Sequence, residues 1–172
     1  PGVQVEMHVM STDNMLKNLE SGAIDLGFLL SHPTVGAPGI DQMPVWSSRI
    51  GVVAPAGEAP SHVTELSKMP FVMGLRENWR SWRALLDSAC ERAGLTPMVV
   101  DEAWDVQVIL QRVAERRGVT LFPLSMADSL PAALELVPIA GLDAEATISM
   151  AWSIKADTGL LRQFRNHFPP LG

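Results

Sequence analysis

Residues 3–9 set Val3, Val5, Met7 and Val9 against Gln4, Glu6 and His8, the strict alternation of a strand with one buried face. Ser11, Thr12 and Asp13 then offer cap groups for a helix whose Met15, Leu16 and Leu19 share one side, and Gly22 stands where such a helix ends. The run from Ala23 to Leu30 is nearly all apolar and suits a buried strand. Together these segments predict a βαβ unit with a right-handed crossover.

After a Pro/Gly-rich stretch from Ser31 to Gly39, strands are expected at Ile40–Trp46, Arg49–Pro55 and Pro70–Met73, with a short turn or helix at Thr64–Lys68. Between Glu77 and Ala93, residues Trp79, Trp82, Leu85, Leu86, Ala89 and Ala93 fall at helical spacing, and Gly94 stops them. Pro97–Val100 reads as a strand. Asp105 caps a helix carrying Val106, Ile109, Leu110 and Val113, with Gly118 at its end. Val119–Phe122 is a strand, Ser125–Ala133 a helix limited by Pro131, and Leu136–Ile139 and Thr147–Trp152 are strands. Leu160, Leu161, Phe164 and Phe168 mark a closing amphipathic helix. Strands alternating with helices predict an α/β fold, a mostly parallel sheet covered on both faces.

Charge removes one class of function. Thirteen basic residues face nineteen acidic ones, a net charge of -6, and the densest basic run is Arg116-Arg117. Affinity for phosphate comes largely from Lys and Arg, so this chain is not expected to grip DNA unaided. The single Cys90 forms no internal disulfide and is expected to be a small buried side chain rather than a reactive thiol. No charged start followed by an apolar stretch signals export, and no apolar run approaches the ~20 residues that span a bilayer, so a soluble, cytoplasmic protein without a membrane partner is expected.

Four stretches carry a resemblance. They are Leu19 to Phe28, with its Gly22 and Asp25; Ile50 to Gly57; Arg92 to Pro97; and Val113 to Ser125, with Gly118 and Pro123. In this order and spacing the chain resembles the effector-binding domain of LysR-type transcriptional regulators. It departs from the family's pattern at Gly57 to Pro60 and at Arg117. The resemblance covers nearly the whole chain and implies a two-lobed periplasmic-binding-protein-like (type 2) fold, each lobe a mostly parallel sheet flanked by helices. It implies lobe I at residues 1–47 plus 142–172, lobe II at 48–141, and hinge segments near Trp46–Arg49 and Ile139–Leu142.

Against the family's pattern the chain lacks a helix-turn-helix, a linker helix, and the first strand and helix of the effector domain. It is therefore expected to be a fragment with no DNA-binding domain of its own, reaching DNA only through a helix-turn-helix elsewhere in the intact regulator. That regulator is expected to be a homodimer or higher oligomer. The expected ligand is a small-molecule effector, a small organic acid among the candidates, held in the inter-lobe cleft.

Ligands in open α/β sheets sit beyond the carboxyl ends of strands, near helix N-termini. On this ground, and by the resemblance, the candidate ligand-binding residues are Ser11, Thr12, Leu30, Ser31, Trp104, Phe122 and Pro123. Ser11 and Thr12 serve as helix caps, as ligand donors, or both. Trp104 either stacks on a ligand ring or packs in the core. Trp79 and Trp82 read as core or subunit contact ahead of ligand stacking; Asn78 and Arg80 read as anion contacts, and Arg76, Arg80 and Arg83 equally as a solvated face.

His8, His32, His62 and His167 are scattered without carboxylates at ligand spacing, so no metal site is expected. No Gly-x-Ser-x-Gly elbow, phosphate-binding loop or dinucleotide fingerprint is present, and neither a catalytic residue nor a cofactor is expected. A transporter's solute-binding protein and an enzyme on the same clamp are the competing classes.

Overall fold

The longest strand of the computed structural model, which describes residues 3–31, 36–168 and 171, is β2 (Ile40–Pro55), sixteen residues in one run. Two strands were expected here. The backbone stays extended through Pro44 and through Ser47 and Ser48, and only the burial changes. Residues up to Arg49 are exposed or half-buried, whereas Ile50 to Pro55 are all buried. The chain divides into two compact units, Pro1–Val45 with Ile148–Gly172, and Trp46–Thr147.

The second unit is built on the buried end of β2. It continues through α2 (Val63–Leu66), β3 (Pro70–Gly74), α3 (Arg80–Arg92), β4 (Met98–Ala103) and α4 (Val106–Ala114). Then come β5 (Thr120–Pro123), a 3-10 turn at Leu124–Ser129, and β6 (Leu134–Pro138). That turn stops before Leu130, which is extended because it precedes Pro131; the expected helix through Ala133 is cut short.

β2 pairs antiparallel with β5, Val52 opposite Leu121, and with β6, Val52 opposite Val137. β3 pairs parallel with β4, and a parallel bridge from Phe71 to Val119 ties β3 to the start of β5. β3, β4, β5 and β6 therefore run one way and β2 runs against them. The apolar face of α4 (Ile109, Leu110, Val113) closes on Val53, Val72, Ala103, Phe122 and Leu134, a continuous buried core. Asp105 caps α4 by accepting the Gln107 N–H at 2.7 Å.

The first unit holds α1 (Thr12–Ser21), β1 (Gly27–Leu30), the end of β7 (Glu145–Ser153), a 3-10 turn at Ile154–Ala156, and α5 (Gly159–Arg165). Ser11 caps α1 and Gly22 ends it at φ +75°, a left-handed conformation open to glycine without strain. β1 pairs antiparallel with β7, Leu29 opposite Ser149. The core here is Leu19, Leu29 and Ala151, with Met15, Leu16, Ile24 and Ile40 packed around it.

Residues 3–9 are not a strand, which corrects the expected βαβ unit. Val3, Val5, Met7 and Val9 are 57% to 106% exposed. A strand needs a neighbour's N–H and C=O groups, and among the described residues none is paired with this segment.

Candidate functional site

In the first unit the candidate residues are a helix start and a strand end. The Ser11 hydroxyl accepts the Asn14 N–H at 3.4 Å, a long bond that marks it as the α1 cap. Thr12 opens the helix and is half-buried. Leu30, also half-buried, ends β1 opposite Ile148. Ser31 follows, and its hydroxyl is hydrogen-bonded to that of Ser149 at 2.5 Å. Ser149 is 2% exposed, so its hydroxyl is a fixed partner that orients Ser31.

In the second unit the candidates gather at the ends of β3, β4 and β5. Trp104 follows β4 and is 68% exposed, so it lies outside the core. Phe122 is buried, its ring 6.3 Å from Trp79 and 6.1 Å from Trp82. It is a floor of the cluster more than a wall. Pro123 ends β5 half-buried opposite Ile50, and two residues on Ser125 donates its N–H to the Ser48 hydroxyl at 3.1 Å. Trp79 links the group, since its indole N–H donates to the Trp104 carbonyl at 3.0 Å.

Arg83, read from the sequence as solvated face, is buried instead. One of its terminal guanidinium nitrogens donates to the Gly74 carbonyl at 2.7 Å and to the Glu102 carboxylate at 2.6 Å, joining the ends of β3 and β4. The side chain is 4% exposed and its Nε has no acceptor among the described residues. The signal was its spacing: Trp79, Arg83, Leu86 and Cys90 step along one face of α3, which places the arginine among apolar neighbours. An open recess of about 550 Å3 runs beside it, lined by Arg76, Arg83, Val99, Val100, Asp101 and Glu102. Its charges are already matched. Arg76 pairs with Asp87 at 2.6 Å, and Asp101 pairs with Arg112 and with Arg117.

Cys90 is buried and desolvation pushes its thiol up to about 11, so it stays a neutral thiol at pH 7. Among the described residues no group of three His, Cys, Asp or Glu is placed to hold a metal; His32 lies outside them. No described helix is long and apolar enough to cross a membrane.

Residues 1–169 match the family model of the LysR substrate binding domain. The chain is 25% identical over 130 residues to the HTH-type transcriptional regulator AlsR of Bacillus subtilis (strain 168), covering 73% of this chain and 42% of that protein. Its fold is similar to that of HinK, a LysR family transcriptional regulator from Pseudomonas aeruginosa, with a TM-score of 0.82 at 21% identity over 98% of this chain and 60% of that one. It is also similar to the effector-binding domain of QuiR in complex with shikimate, at a TM-score of 0.71 and 16% identity over 93% of this chain and 81% of that one. The chain thus spans about half the length of the full regulators it matches.

Proposed function

The chain belongs to the LysR substrate binding domain family, and from that premise we propose that it is the effector-binding part of a transcriptional regulator. It takes up a small molecule and passes the binding event to a helix-turn-helix domain that makes the contact with DNA. The family is one of regulators rather than enzymes, and the fold is the two-lobed α/β fold of periplasmic binding proteins.

The observation that carries this reading is the match of the family model across residues 1–169. The chain's own charge agrees with it, because a net charge of -6 suits ligand sensing better than direct phosphate binding. The reading assigns residues 1–47 with 142–172 to one lobe and 48–141 to the other; the division of the chain into two compact units supports two lobes, with residues 142–147 falling in the second unit. Ser11, Thr12, Leu30 and Ser31 are the proposed effector contacts of the first unit. Trp104, Phe122 and Pro123 are those of the second.

Hydroxyl groups at a helix start favour an oxyanion, and an exposed indole favours an apolar body, so the proposed effector is a small organic acid. The intact regulator is proposed to act in the cytoplasm as a homodimer or higher oligomer and to perform no turnover of its own.

A thermal-shift screen of small organic acids, shikimate among them, tests the assignment. An acid present at ~100 times its Kd raises stability by ~2.7 kcal/mol, and mass spectrometry recovers it unchanged. Conversion of the acid during incubation would place the chain among enzymes instead.

A further inference from the structure

We propose that Trp79 is a positioning residue for Trp104: it fixes the backbone beneath the exposed indole, so that this ring is presented ready-made to a flat, unsaturated ligand. The inference rests on the reading above that Trp104 meets the effector. It adds a second tryptophan, one that touches no ligand itself, and a preference for planar over puckered rings.

The geometry starts at Gly74. A Cβ there would lie 2.5 Å from the Trp79 ring, so the indole rests directly on the end of β3. Held in that place and against Phe122, the ring aims its N–H at the Trp104 carbonyl. The residues on either side of Trp104 are fixed as well. The Ala103 carbonyl accepts the Leu75 N–H at 2.9 Å, and the Asp105 carboxylate caps α4. Arg83 ties Gly74 to Glu102 from beneath.

With its neighbours and its own carbonyl held, Trp104 keeps only its side-chain torsions. The backbone that carries this indole is then ordered before a ligand arrives, which removes part of the entropic cost of binding. The aromatic cluster of Trp79, Trp82 and Phe122 contains no ionisable group. What this end of the site offers is a flat apolar face, and a ring of sp2 carbons meets it better than a puckered one.

Trp79→Phe isolates the effect, because it keeps an aromatic ring over Gly74 and against Phe122 while deleting the N–H. The test uses protein labelled with 5-fluorotryptophan, with benzoate as the planar probe and cyclohexanecarboxylate as its puckered counterpart. The expected result is a melting temperature close to that of the parent protein together with a broadened or split Trp104 fluorine line. Benzoate affinity should fall by about threefold to tenfold, the range for one lost hydrogen bond, and the benzoate preference should shrink.

An unchanged Trp104 line with unchanged benzoate preference overturns the positioning role. Trp104→Ala separates this from failure of the underlying reading. If removing Trp104 leaves benzoate binding as it was, or if benzoate does not bind the parent protein, Trp104 is not an effector contact and the planar preference falls. The fluorine spectrum of Trp79→Phe then still decides whether Trp79 holds the lip.

Discussion

The two units of this chain treat the same kind of residue in opposite ways. In Trp46–Thr147 the apolar run Ile50 to Ala54 sits between β5 and β6 and is 2% exposed or less at Ile50, Val52, Val53 and Ala54. In the other unit Val3, Val5, Met7 and Val9 carry an equally clear strand pattern and stand in solvent. Hydrophobicity gives a segment the capacity to be buried; a neighbouring strand is what realises it.

The widest separation between the units should appear in core truncations. Phe71→Ala in β3 removes a ring that is 0% exposed and should cost about 3–5 kcal/mol in urea unfolding. Met7→Ser should change stability by less than about 0.5 kcal/mol, because it touches nothing that folding buries. Comparable losses from both would break the contrast and would show that residues 3–9 are buried in solution.

A smaller effect is expected where charge, not carbon, fills the second unit's interior. Glu102→Gln leaves the Arg83 cation without its counter-charge. Because Glu102 is itself 35% exposed, the cost should be about 2 kcal/mol rather than the full penalty of a closed pair. A loss under half that size would mean that water already serves Arg83.

These residues also mark how far the amino-acid pattern could be read. Ser11 and Asp105 were legible as caps and Gly22 as a stop, since each of those roles depends only on residues within a turn. The apolar face of α4 was equally plain. The continuity of β2 was not, because Pro44 and two serines look like punctuation until the strand is seen to run on through them. Arg83 was read as surface, since its burial depends on Gly74 and Glu102, which come near it only through the β3–β4 pairing. The αL stop at Gly22 is local, while the failure of residues 3–9 to pair is not. Contacts set by other elements are what the pattern left open.

In the first unit the expected changes are modest. Ser11→Ala removes the α1 cap and should destabilise by about 1 kcal/mol, read as a shift in the urea midpoint at constant slope. The smallest effect is electrostatic. Hydrogen bonds from Arg165 hold the Asp157 carboxyl below its ordinary value, and the same guanidinium lies 3.9 Å from the Trp152 ring centroid. A carboxyl with a lowered folded-state pKa adds stability above its unfolded value and loses it as pH falls through the folded one. Asp157→Asn should therefore lower the neutral end of the melting-temperature profile slightly, meet the parent protein at the acid end, and so flatten the acid slope. An identical acid slope in the variant would assign that slope to other carboxylates.

The central claim is that this chain binds a small acid without transforming it, and titration calorimetry on the best acid from the thermal screen tests it most directly. The expected result is one saturable site per chain, weakened by about 1–3 kcal/mol in Thr12→Val as the oxyanion loses a donor, with the acid recovered intact. Heat that never saturates, or an acid consumed during the titration, would contradict the claim.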